Sequence, residues 1–173
     1  MRAIQKPQEG EFAPYTTMYI SLLPDDGRVL DHMQENLQQT IDLARSFSDE
    51  ALTTPNAEGE WTIKDILVHV ADDERIFCYR ALRFARNDPT ELPGFDQDLH
   101  AANAGANART LDDILEEYAA VRSATITLFK NLPEEALPRS GVSNDHRMSV
   151  RAAAYHIAGH ELHHLNSIRE NYL

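Results

Sequence analysis

Four of the chain's eight histidines lie within nine residues, in the stretch HIAGHELHH from His156 to His164. Imidazole is the commonest protein ligand for transition metals. On a helix, residues four apart stand one above the other, about 5–6 Å apart at Cβ. His156 and His160 have that spacing, and so do His160 and His164. Either pair can grip one ion from a single helix. A zinc-like ion then needs a third ligand from elsewhere and, for catalysis, an open position. An internal repeat singles out that third ligand. EWTIKDILVHVADDE (60–74) aligns without a gap on RMSVRAAAYHIAGHE (147–161), which sets His69 on His156, Asp73 on His160 and Glu74 on Glu161. Upstream, SDEAL (48–52) echoes PEEAL (133–137). His69 is therefore the best third ligand, while His32, His100 and His146 stand singly and are weaker candidates. Spacing alone leaves open whether 156/160 or 160/164 is the binding pair.

His160, Glu161 and His164 also spell H-E-x-x-H, the zinc-protease motif in which the glutamate acts as general base. The extended form of that motif wants Gly at 167 and His at 170, where this chain has Ser167 and Glu170. At about 100° per residue, Glu161 falls within the stripe of Val150, Ala154, Ile157 and Ile168. Its repeat partner Glu74 falls within a similar stripe of Ile63, Leu67, Val70, Phe77 and Ala81. Two carboxylates on apolar stripes point to a structural pair or to a pair that supports the ligating histidines, each needing a donor or a proton. Asp73, four residues after His69, is a candidate catalytic group: it can orient an imidazole, move a proton or add a ligand. Arg80, Arg83 and Arg86 are candidates to meet an anionic substrate or to pair with acids. Cys78 lies on the apolar side of its helix and is expected to be a core residue.

These groups must be positioned by helices. Apolar residues recur three or four apart over about 26–47, 62–87, 110–132 and 149–171. Thr62 with Asp65 and Thr110 with Asp113 read as capping boxes, and Pro89 and Pro133 follow helix ends. No convincing strand is visible, and MYISLL (18–23) is the lone candidate for extended chain. The expected class is all-α, a single four-helix-bundle domain over residues 1–173 with the second and fourth long helices facing each other. The connections 48–61, 88–109 and 133–148 are long enough to allow a crossover along the bundle.

The net charge of −12 repels phosphate backbones, so nucleic acid is not an expected partner. No apolar run reaches membrane-spanning length, the first twelve residues carry charges where a secretory signal would be apolar, and the single cysteine allows no intramolecular disulfide. These features lead to an expectation of a cytoplasmic protein.

The tract WTIKDILVHVADDERIFCYRALRFARND, followed by LPGFDQD and by AAYHIAGHELHHLNSIRENYL, resembles the DinB-like superfamily, which includes the YfiT-like metal-dependent hydrolases. The resemblance runs from about Phe12 to Leu173. It implies an up-down-down-up four-helix bundle. It also implies a divalent metal, zinc or nickel, held by one histidine from the second helix and two from the last: His69, His160 and His164. His156 is then a relic of the repeat and His163 a neighbour. Homodimers occur in the family. So do transferases that use low-molecular-weight thiols such as bacillithiol or mycothiol, and a small-molecule substrate follows. Many relatives follow the last histidine with RGQ, whereas this chain has LNS (165–167). The expected function is a metal-dependent hydrolase or thiol-dependent S-transferase. The alternative is a non-catalytic metal-binding stress-response protein or a structural helical bundle.

Overall fold

A computed structural model describes residues 1–173. In chain order the helices are α1 (Thr17–Ile20), α2 (Val29–Arg45), α3 (Asp49–Thr53), α4 (Ile63–Ala85), α5 (Gln97–Asn103), α6 (Leu111–Asn131) and α7 (Val150–Tyr172). The four long helices α2, α4, α6 and α7 form the bundle.

Their starts follow from local chemistry. Thr62 accepts from the Asp65 N–H while Asp65 reaches back to the Thr62 N–H, a complete capping box at the head of α4. Thr110 and Ser149 cap α6 and α7 by accepting from the N–H three residues on. At α6 only this half of the expected box forms.

Cross-helix contacts determine the topology. Asn36 and Thr40 of α2 meet Ala158 and Glu161 of α7, so that pair runs parallel. Glu74 and Cys78 of α4 meet Arg122 and Thr125 of α6, again parallel. His69 and Asp73 of α4 meet His160 and His156 of α7 in the reverse order, so that pair is antiparallel. Arg45 of α2 reaches Asp112 of α6, while Met33 accepts from Arg122, so those two are antiparallel as well. The result is an up-down-down-up bundle with α2 diagonal to α4 and α6 diagonal to α7. The two repeat-related helices α4 and α7 are therefore neighbours.

The core forms two clusters along the bundle. One gathers Leu30, Met33, Phe77, Phe84, Phe129 and Tyr155. The other gathers Leu37, Ile63, Leu67, Ile114, Leu115 and Tyr118. Leading chain is tied to the first cluster, since Ile4 is fully buried and its carbonyl accepts from the Tyr155 hydroxyl at 3.0 Å.

Two local expectations change. The stretch 18–23 is not extended: Met18–Ile20 belong to α1, which packs on α7. A hairpin of β1 (Ser140–Ser143) and β2 (His146–Ser149) lies where no strand is expected. Its two-residue turn places Asn144 and Asp145 at positive φ, 51° and 62°. This is the left-handed geometry of a tight hairpin turn, which Asn and Asp tolerate. The chain around Leu92 pairs with Ser143 and Asn144, carrying Phe95 towards the α4–α7 seam.

Candidate metal centre

α4 contributes His69 in its second turn, and α7 contributes His160 and His164, one turn apart near its middle. The site thus lies part-way along the bundle. The Nε2 of His160 is 3.1 Å from the Nε2 of His69 and 3.1 Å from that of His164. His69 and His160 are buried and His164 is half-buried. Burial pushes all three towards the neutral form: His69 falls below its ordinary value, His160 falls to about 3 and His164 to about 2. Neutral imidazole is the ligating form. A tetrahedral ion with bonds of about 2.0–2.1 Å places its ligand nitrogens about 3.3–3.4 Å apart. The observed spacing lies close to that, so the donor set fits a divalent transition metal.

Asp73 sits on the other side of His160. One of its carboxylate oxygens lies 3.3 Å from His160 Nδ1 and 3.1 Å from His156 Nε2. Asp73 thus lies on the Nδ1 side of His160, while Nε2 of the same ring faces His69 and His164. This is the carboxylate–histidine arrangement that orients metal-ligating imidazoles. The two neighbouring imidazoles and the His156 hydrogen bond hold the Asp73 carboxyl well below the usual carboxylate range despite complete burial. Asp73, His156 and His160 also form a compact donor group of their own. It shares His160 with the three-imidazole set, through the opposite ring nitrogen.

The repeat explains this layout. Its aligned residues meet at the α4–α7 contact, where Asp73 touches its own counterpart His160. Glu74 and Glu161 likewise converge on one residue, Arg122 of α6, which is fully buried. Arg122 donates to Glu74 at 2.8 Å and to Glu161 at 2.7 Å. Glu161 also accepts from the Tyr118 hydroxyl at 2.6 Å and from Thr40 at 3.1 Å. Glu161 therefore points into the core, away from the histidines, and is no general base for the site. The expected structural pair of glutamates is what forms.

Gly159 decides what covers the site. A Cβ built there would collide with the Tyr19 backbone carbonyl. Glycine thus lets α1 lie directly on α7, and the Tyr19 ring stands edge-on 5.2 Å from His156 and 5.1 Å from His160. Trp61 packs 4.7 Å from His69, and Phe77 stacks 3.6 Å from His156. His156 Nδ1 is the one buried side-chain polar atom without a hydrogen-bond partner.

Beside His160 lies a cavity of about 220 Å³ bordered also by His156, Asp73, Tyr19, Phe95 and Arg80; His69 and His164 do not line it. Arg80 is buried there. Arg83 pairs with Asp88, and Arg86 lies on the separate α4–α6 side. Burial raises the Cys78 thiol to about 12, as suits a core cysteine and not a nucleophile. His32 pairs with Asp26, while His100 and His146 lie against Phe95 and Tyr15; none joins the set. The sequence reading missed Tyr19, Trp61 and Arg122. Gly159 beside His160 was a signal for the first. An arginine on the otherwise apolar stripe of Leu115, Tyr118, Thr125 and Phe129 was a signal for the last.

A model of the DinB superfamily matches residues 32–168. The chain belongs to the DinB superfamily. It is 31% identical over 127 residues to a protein of Oceanobacillus iheyensis described as a "putative metal-dependent hydrolase", and the match covers 72% of each chain. Its fold is that of YfiT from Bacillus subtilis, described as a "probable metal-dependent hydrolase with an unusual four-helix bundle topology". That likeness has a TM-score of 0.71 at 19% identity, over 95% of this chain and 90% of YfiT. No helix is long and apolar enough to cross a membrane.

Proposed function

We propose that this DinB-superfamily chain is a metal-dependent enzyme, a hydrolase or a thiol-dependent S-transferase acting on a small molecule. His69, His160 and His164 hold one zinc or nickel ion. The observation that carries the reading is the convergence of three neutral imidazole Nε2 atoms from two helices, with His160 on the wall of a cavity. The description of the Oceanobacillus iheyensis relative points the same way. An ion held by three neutral ligands keeps its full double charge and supplies Lewis-acid activation of a water or thiol at neutral pH.

The chain's own residues do the rest. The Asp73 carboxylate, 3.3 Å from His160 Nδ1, favours the tautomer with the proton on that nitrogen and leaves Nε2 free. The Asp73 carboxyl is held well below the usual range, so it stays ionised beside the ring at neutral pH. Tyr19 and Trp61 wall the imidazoles off from bulk water and lower the local dielectric, which strengthens every charge interaction inside.

The test is elemental mass spectrometry on untagged protein purified without added metal, beside His69→Ala and His164→Ala. About one zinc or nickel per chain, lost in both variants, is the expected result. A wild-type chain that neither carries metal nor takes it up on titration removes the enzyme reading. Metal-loaded protein is then assayed for ester and amide hydrolysis and for thiol transfer, and inactivity across both classes favours the non-catalytic alternative.

A further inference from the structure

Arg80 is a buried cation in this cavity without a counter-ion. Its residue is 3% exposed. One guanidinium N–H donates to the Pro93 carbonyl at 3.0 Å, and the group lies 4.8 Å from the Phe77 ring centre and 5.9 Å from that of Phe95. No carboxylate pairs with it, unlike Arg75, Arg83, Arg109, Arg122 and Arg151. A guanidinium cannot shed its charge, and a buried one left without an anion is costly. The aromatic faces offset part of that cost. They leave unused donors in a cavity that the residue shares with His160.

The placement has a direction. Arg80 follows Asp73 by seven residues, two turns along the same face of α4, or about 10 Å along the helix axis. One end of the cavity is thus formed by Asp73, His156 and His160, the last a member of the histidine centre, and the other is a lone cation. Tyr15, Tyr19, Phe77 and Phe95 form the walls between them.

We propose that Arg80 anchors the substrate, and that the substrate is a small carboxylate with an aryl or apolar body. Its carboxylate lies on the guanidinium and its reacting group reaches towards His160. The inference builds on the enzyme reading above and adds a substrate class to it. One planar fork matches one planar carboxylate, which takes two parallel N–H bonds. A phosphate dianion against this single cation would leave uncompensated negative charge in a cavity that already holds Asp73.

The experiment titrates metal-loaded wild-type protein with 3-phenylpropanoate, with neutral 3-phenylpropanamide and with inorganic phosphate, by calorimetry and ligand-observed NMR. The same titrations are made on Arg80→Gln, on Arg80→Lys and on metal-stripped wild type. The metal content of every sample is measured. Phenylpropanoate should bind wild type with nuclear Overhauser contacts to Phe77 and Phe95. It should bind Arg80→Gln at least about tenfold more weakly, with the metal content of that variant unchanged. Arg80→Lys, which keeps the charge but not the fork, should fall between them. Equal affinity for acid and amide in wild type overturns the proposal and needs no variant, so it decides even where Arg80→Gln fails to fold. Acid binding that ignores Arg80→Gln but vanishes on stripping also overturns it, because the ligand then sits on the metal. Phosphate binding more tightly than the carboxylate overturns the substrate class. Arg80-dependent acid binding in a chain that takes up no metal keeps the anion site and removes the enzyme reading instead.

Discussion

Asp73→Asn separates an orienting role for Asp73 from a ligating one. Asp73 meets His160 through Nδ1, whereas Nε2 of the same ring faces His69 and His164. The two nitrogens of an imidazole point to opposite sides, so one ion cannot take both His160 Nε2 and the Asp73 carboxylate where they stand. Asparagine keeps the volume but has a single acceptor oxygen, and its amide nitrogen can only donate. Both imidazoles lie against the same Asp73 oxygen, so the substitution removes the negative charge beside them even where the amide oxygen takes that place. His160 then loses the charged partner that holds its tautomer. Loss of such a partner typically weakens metal binding about 10–100-fold, or about 1.4–2.7 kcal/mol. Removal of a ligand should cost far more. The assay is zinc competition against a chromophoric chelator at pH 7.5, with His69→Ala as the reference for ligand loss and circular dichroism as the check on folding. A folded Asp73→Asn protein within about twofold of wild type would refute the orienting role. A loss as large as that of His69→Ala would make Asp73 a ligand and refute the reading of His160.

Three further outcomes follow from the same contacts. Arg122→Met leaves Glu74 and Glu161 buried without their shared cation and should cost about 3–5 kcal/mol, read as a lower denaturant midpoint; a loss below about 1 kcal/mol would mean that the triad does not hold the core. Burial lowers His160 to about 3 and His164 to about 2 from 6.5, so the unfolded metal-free chain takes up their protons first. Its stability should therefore fall as pH drops below 6.5, by about 2 kcal/mol per histidine at pH 5, and flat melting temperatures between pH 7 and 5 in chelator would contradict the burial of these rings. Gly159→Ala forces α1 off α7 at the Tyr19 carbonyl and should cost about 1–3 kcal/mol. It should also make the His160 ring more accessible to diethyl pyrocarbonate, and an unchanged modification rate would place the roof of the site elsewhere.

Much of the fold was legible along the chain because its determinants are local. Thr62, Thr110 and Ser149 start helices through hydrogen bonds to N–H groups three residues away, and apolar stripes repeat with the helical period. The crossover came from the family resemblance, for which the long connections left room. The hairpin at 140–149 is hardly legible in the sequence, although its Asn144-Asp145 turn is a local signal. Its strands are only four residues each, too short for an alternating pattern to stand out.

The chemistry divides in the same way. Sequence spacing put His156, His160 and His164 on one helix face, and the repeat pointed to His69 as their partner, because both are periodicities of the chain itself. Periodicity cannot say how far one helix slides along another. That offset is decided by side-chain packing across the bundle, and only the tertiary structure shows it. It brings Nε2 of His69 to His160 and turns His156 onto Asp73. It gives Glu74 and Glu161 one arginine from a helix that the repeat does not align with theirs, and it closes Tyr19 over the rings through a glycine. The residue types came from the sequence, while these hydrogen-bonded partners came from contacts 39 to 91 residues apart along the chain, where no local rule applies.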